Sequence, residues 1–222
     1  MTPHAESPPT YEYWIPMIVF GVATAAESYV PIAWYPAAYI TKAMLVTVSL
    51  IVCRGPLADI RPDLSARLIV PSVLIGLVVC ALWLGIDKYV PYPHFGARTA
   101  FDPSPLEQSG WWLPFLAVRL YGLVLMVPIM EEVFWRSFLL RYLTKPDFRQ
   151  LPMGTFSASA LLIMLAASGL AHPEWLVAIV ASLAYALWLR RTGRLFGAIV
   201  AHAVTNAALG GYVLATGDWR YW

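Results

Sequence analysis

Seven long apolar runs, separated by segments rich in Gly, Pro and Asp, follow one another along the 222-residue chain. A helix needs about 20 apolar residues to cross roughly 30 Å of hydrocarbon. The pattern therefore predicts an all-α, polytopic transmembrane helix bundle of about seven (six to eight) spans. The predicted spans are 13–30, 36–53, 68–87, 111–140, 156–171, 175–189 and 195–216.

Three of these runs are irregular. The fourth contains Pro128 and then three charged residues before it continues as an apolar segment. A proline inside a helix removes a hydrogen bond and commonly produces a kink. The fifth and sixth runs are short, so they are expected to thin the bilayer locally or to form a hairpin that does not cross it fully.

The remaining segments define the domain organisation. Residues 1–12 are polar and Pro-rich and contain no Lys or Arg, so they lack the positive region of a secretory signal and are interpreted as a tail. Residues 13–216 form one transmembrane domain, and 217–222 form a C-terminal tail.

Composition supports a membrane protein, because 59% of the residues are hydrophobic and only 13% are charged. Soluble domains carry about 25% charged residues. The 15 Lys and Arg against 13 Asp and Glu give no basic footprint, so we expect lipid and not nucleic acid as a partner. Cys53 and Cys80 lie in apolar runs and are expected to pack as small hydrophobic residues.

The distribution of Lys and Arg predicts the orientation, since these residues favour cytoplasmic loops. A cytoplasmic N-terminus gives nine such residues inside and three outside. Those inside are Arg54, Arg61, Arg67, Arg141, Lys145, Arg149, Arg190, Arg191 and Arg194, and those outside are Lys88, Arg98 and Arg220.

Charged residues inside apolar runs are costly and mark functional or paired positions. Glu132 and Arg136 are four residues apart, on one helical face, and are expected to form an ion pair. Glu131 points about 100° away from Glu132. It has no local partner and is the better functional candidate. The alternative is that all three form one network that fixes helix packing.

His202 and Asn206 are also four residues apart, on one face of the last run. They lie about 12 Å deep, and Glu131 lies at a similar depth from the same side. The alternative interpretation is a polar contact between helices.

His172 ends the fifth run. Simple alternation of the spans places it near the outer surface, away from Glu131, unless the hairpin is short or tilted. Glu27 and Lys42 flank the first outer turn and are expected to pair. Arg119 has no obvious partner in the sequence. Glu174 or Glu27 could serve as one, and a structural role is expected for Arg119.

Together these groups suggest hydrolysis. A carboxylate and a histidine can deprotonate water, while a second imidazole and an amide can donate hydrogen bonds to a developing oxyanion. Glu131, His172, His202 and Asn206 would then hydrolyse a peptide bond without an acyl-enzyme. Alternatively, Glu131, His172 and His202 bind a divalent metal such as zinc, whose water attacks. Spacing does not decide between the two mechanisms.

The order E-E-x-x-x-R, then a His, then H-x-x-x-N in apolar helices resembles the CPBP family of intramembrane proteases. That family includes the type II CAAX prenyl endopeptidases and bacterial Abi-like relatives. The motifs cover about 127–210, within a family-like core of about 111–210. The resemblance implies that Glu131 and His172 activate water and that His202 and Asn206 form the oxyanion site. Glu132 and Arg136 would support them, with no required cofactor.

The resemblance also implies a membrane-tethered protein or peptide substrate and a location in the bacterial inner membrane. One departure concerns substrate preference, because the family usually has Phe four residues before the second-motif His, where this chain has Ser168. Two other functions stay open. They are a non-catalytic scaffold or immunity partner, and a proton or ion transporter that uses the same charges.

Overall fold

The computed structural model describes residues 9–95 and 101–222, and within them it contains seven main helices and no β-strand. The helices are α1 (Ile15–Glu27), α2 (Tyr35–Val52), α3 (Ala66–Tyr89), α4 (Trp112–Thr144), α5 (Ala158–Leu170), α6 (Trp175–Thr192) and α7 (Leu195–Thr216). This architecture confirms the predicted polytopic helix bundle. Residues 1–8 of the predicted tail and Arg98 lie outside the described residues.

Five of the helices are long and apolar enough to cross a membrane, namely α2, α3, α4, α6 and α7. The other two, α1 and α5, have 13 residues each. At 1.5 Å per residue they are about 20 Å long, which is shorter than the hydrocarbon layer. The short fifth helix agrees with the sequence, whereas the short first helix differs from the predicted span 13–30.

The sixth helix is longer than its apolar run. Arg190 and Arg191 continue α6 for another turn, because Arg is a good helix former and cations are favourable at a helix C-terminus. Gly193 then ends the helix in the left-handed region, at φ +63°.

The long helix α4 is irregular around Pro128. Two π-helical segments, Gly122–Met126 and Val133–Leu139, lie on either side of it. Proline cannot donate a backbone hydrogen bond, and π-helical turns re-register the bonds of the helix. Each such turn also changes which side chains share a face of α4.

Helix α7 packs between α3, α4 and α6, and its contact with α3 is the most extensive. A Cβ atom built on Gly76 of α3 would lie 2.5 Å from the carbonyl oxygen of Ala201 in α7. Thr205 also donates a hydrogen bond to the Gly76 carbonyl, at 2.9 Å. Helix α1 packs on α2, and α5 packs on α4 and α6.

The chain after α7 folds back on the bundle. Residues Trp219–Tyr221 form a 3-10 turn, and Trp222 is buried. Cys53 and Cys80 are buried and free, which agrees with the packing role expected from the sequence.

Candidate active site

The four residues predicted to be catalytic, Glu131, His172, His202 and Asn206, line one cavity of about 420 Å³. Helix α4 supplies the carboxylate, the turn after α5 supplies one imidazole, and α7 supplies the other imidazole and the amide. The cavity wall is otherwise mainly apolar, with Arg136 also on it.

The position of His172 differs from the outer location expected from simple alternation. At 1.5 Å per residue, the segment from Ser157, which precedes α5, to His172 is about 22 Å long. Glu131 lies about 20 Å from the end of α4 at Thr144, which is at the same end of the bundle. Because α5 is so short, the two side chains reach the same depth and line the same cavity.

Glu132 is the centre of a buried ion-pair network. Its Oε1 atom forms an ion pair with Arg136 Nη1 at 3.1 Å and accepts a hydrogen bond from His202 Nδ1 at 3.0 Å. Arg136 Nη2 also donates to the hydroxyl and the carbonyl oxygen of Ser182 in α6, at 2.8 and 3.2 Å. The predicted pair of Glu132 and Arg136 is present, and it joins α4 to both α6 and α7.

His202 is held on two sides. Its ring stacks on that of Tyr185, with centroids 5.2 Å apart and an interplanar angle of 18°. The Tyr185 hydroxyl donates to Thr205 Oγ1 at 2.7 Å. Since Glu132 occupies Nδ1, the Nε2 atom is the ring nitrogen left for a ligand in the cavity.

The sequence did not single out Ser182, Tyr185 or Thr205. Ser182 and Tyr185 are three residues apart and therefore share one face of α6. Polar side chains at that spacing in an apolar run were the available signal.

Glu131 differs from its neighbour Glu132 in having no hydrogen bond and no ion pair to any residue that the structure describes. It is 7% exposed and faces the cavity. A buried carboxylate without a protein partner has both oxygens available to a water molecule or a substrate.

His172, which lies two residues after the end of α5, is oriented by the backbone of that helix. Its Nδ1 atom donates to the Ser168 carbonyl oxygen at 2.8 Å, because a carbonyl can only accept. The neutral ring therefore has its unprotonated nitrogen at Nε2 and can act there as a base. The Ser168 side chain takes no part in this bond, so the departure from the family pattern leaves the orientation of His172 intact.

Asn206 is fixed by the π-helical segment Gly122–Met126. Its Nδ2 atom donates to the Leu123 carbonyl oxygen at 2.8 Å. This bond uses one of the two amide hydrogens and leaves the other available in the cavity.

The cavity extends to a second group of charges, formed by Glu27, Lys42 and Arg119. Glu27 and Lys42 form the ion pair that the sequence predicted. Arg119 forms no ion pair with any residue in the described part of the chain, and its guanidinium lies 4.4 Å from the centre of the Tyr39 ring.

The donors of the alternative metal mechanism do not converge in this structure. Across residues 9–95 and 101–222, no group of three His, Cys, Asp or Glu side chains is placed to hold a metal ion. Glu131, His172 and His202 therefore do not form a three-ligand set as arranged.

Comparison with known proteins gives one family. Residues 111–208 match the model of the Rce1-like type II CAAX prenyl endopeptidases. The matched segment contains Glu131, His172, His202 and Asn206, and it confirms the family resemblance found from the three motifs. No significant match was found among curated proteins or among solved structures.

Proposed function

We propose, on the premise of the type II CAAX prenyl endopeptidase similarity over residues 111–208, that the protein is an intramembrane endopeptidase. It hydrolyses a peptide bond of a membrane-tethered protein or peptide, in a bacterial inner membrane and with its N-terminus in the cytoplasm. One observation carries the proposal. The unpartnered carboxylate of Glu131 lines the same buried cavity as two imidazoles and an amide.

In the first step, Glu131 and the Nε2 atom of His172 both accept hydrogen bonds from one water molecule. Together they act as the general base that removes one proton from it. The water oxygen attacks the carbonyl carbon of the scissile bond and forms a tetrahedral intermediate. General-base catalysis of this kind contributes about 10²–10⁴-fold to a rate. The Ser168 carbonyl supports it by fixing the His172 tautomer.

His202 and Asn206 stabilise the negative oxygen of that intermediate. Because Nδ1–H of His202 donates to Glu132, a hydrogen bond from Nε2 to this oxygen requires the doubly protonated imidazolium form. The free amide hydrogen of Asn206 supplies the second donor. The intermediate then collapses, the C–N bond breaks, and the proton taken from water passes to the leaving nitrogen.

The test is cleavage in reconstituted liposomes. The probe is a farnesylated peptide of the Cys-aliphatic-aliphatic-X type, and the products are identified by mass spectrometry in H₂¹⁸O. The wild-type protein is expected to place one ¹⁸O atom in the new carboxylate. Glu131→Gln is expected to abolish cleavage, whereas Glu107→Gln, which changes an exposed acid outside the cavity, is the matched control.

Undiminished cleavage by Glu131→Gln would reject the role of this residue. Absence of cleavage by the wild-type protein, with proton flux in the same liposomes, would instead favour the transporter. A cellular function that survives replacement of both Glu131 and His202 would favour the scaffold.

A further inference from the structure

The active-site cavity contains a buried cation that the hydrolytic mechanism does not use. Arg119 is 8% exposed, and its Nε atom has no hydrogen-bond partner in the described structure. Its guanidinium lies against the rings of Tyr39 and Trp222, at 4.4 and 5.6 Å. The acid in this part of the cavity, Glu27, is already paired with Lys42.

This end of the cavity therefore carries an excess of positive charge. Lys42 and Arg119 are balanced by Glu27 alone. Removing a guanidinium from water without giving it a counter-ion is costly. Ionisable residues held within a membrane domain commonly mark a pathway or site for a ligand of opposite charge.

Arg119 and Glu131 are brought onto one face of α4 by the π-helical segment between them. In a regular α-helix, twelve residues at 3.6 per turn leave two side chains about 120° apart. A π-helical turn contains one extra residue. This residue reduces the angle between the directions of the Arg119 and Glu131 side chains to about 20°. The two side chains then look into the same cavity, about 18 Å apart along the axis.

We propose that Arg119 binds the C-terminal carboxylate of the substrate and so sets the position of cleavage relative to the chain end. This inference rests on the proposed proteolytic function. A ligand that neutralises the buried guanidinium must be anionic. This requirement excludes the charged N-terminus of a substrate chain.

The bound chain is taken to end at Arg119, because the two rings packed against its guanidinium, those of Tyr39 and Trp222, are at most 7% exposed. An extended chain covers about 3.3–3.6 Å per residue. The leaving fragment is therefore at most about five residues long.

The test compares two substrates that differ at one group. They are the same farnesylated peptide with a free C-terminal carboxylate and with a C-terminal amide. The wild-type protein is expected to cleave the acid about 10- to 100-fold more efficiently, mainly through KM, since a charge-assisted hydrogen bond is lost with the amide.

Arg119→Gln is expected to cleave the acid and the amide with equal efficiency, so that the preference for the acid is lost. An unchanged unfolding midpoint, followed by labelling of the buried Cys53 and Cys80 thiols, shows that the variant is folded. Arg119→Lys should retain part of the preference. Arg220→Gln is the matched control, because it removes an exposed cation that is paired with Asp218 and lies outside the cavity.

Equal cleavage of acid and amide by the wild-type protein, or a preference that persists in Arg119→Gln, would overturn the inference and leave proteolysis standing. A binding measurement tests Arg119 without turnover. Glu131→Gln should bind the acid more tightly than the amide, and adding Arg119→Gln should remove that difference. Equal binding of both peptides to Glu131→Gln would overturn the inference even where no cleavage is seen.

Discussion

Glu131 and Glu132 are adjacent, yet changing each to Gln is expected to affect a different property. Glu131→Gln should lower the cleavage rate, and Glu132→Gln should lower the stability. The substitution preserves size and removes one negative charge. Glu131 has no partner among the described residues, so Glu131→Gln is expected to leave the free energy of unfolding within about 0.5 kcal/mol of wild type. Its cleavage rate is expected to fall by at least about 10²–10⁴-fold.

Glu132→Gln removes the counter-ion of a guanidinium that is only 2% exposed, and it weakens the bond to His202. Breaking a buried ion pair by removing one partner costs about 3–5 kcal/mol. The Gln Oε1 atom still accepts one hydrogen bond, so we expect the lower end, about 3 kcal/mol. At about 2–4 °C per kcal/mol for a chain of this size, the unfolding midpoint falls by about 6–12 °C.

The buried free thiols of Cys53 and Cys80 provide the assay. A maleimide dye that fluoresces on reaction with thiols follows unfolding in detergent, and the same samples are assayed for cleavage well below the midpoint. If Glu131→Gln lowers the midpoint as much as Glu132→Gln, then Glu131 is a packing residue. If Glu132→Gln leaves the midpoint unchanged, then the buried network around Glu132 does not stabilise the fold.

Three further outcomes are expected. Asn206→Ala should lower kcat by about 10²–10³-fold with little change in KM, as for loss of an oxyanion donor, and a change confined to KM would contradict this. Gly76→Ala should destabilise the protein by about 1–3 kcal/mol, because its Cβ would meet the backbone of α7, while Gly21→Ala, with open space around it, should not. Treatment with EDTA should leave the cleavage rate unchanged, whereas a loss restored by zinc would favour the metal mechanism.

The sequence predicts those parts of the site that depend on one helix at a time. Hydrophobic runs of sufficient length predict helices, because each backbone polar group in a membrane must be satisfied within its own segment. The spacing of Glu132 and Arg136 predicts their ion pair for a similarly local reason, and the structure contains it. Glu27 and Lys42 pair across one short turn, which is also visible in the sequence.

The depth of His172 could not be read from hydropathy. It depends on where α5 begins, and Ser157 sets that point by accepting a hydrogen bond from the Ala160 amide at 3.1 Å. An apolar run shows how much chain prefers lipid. It does not show which of its residues are helical or where its ends lie in the bilayer.

The partners of His202 were equally hidden, because they depend on the rotation of one helix against another. Two π-helical segments change the rotation of α4 on either side of Pro128, and a constant period of 3.6 residues does not anticipate them. The same effect explains why Arg119 looked isolated in the sequence although it shares a cavity with Glu131.

A fixed rotation of α4 is what allows two neighbouring carboxylates to have different roles. Glu132 is tied to Arg136 and His202, and Arg136 is tied in turn to Ser182. These bonds join α4 to α6 and α7. They hold Glu132 toward the protein and, about 100° around the helix, hold Glu131 toward the cavity. A buried ion pair contributes little net stability compared with apolar packing. Its value here lies in orientation, since a rotated α4 would turn Glu131, the proposed catalytic carboxylate, away from the cavity that His172 also lines.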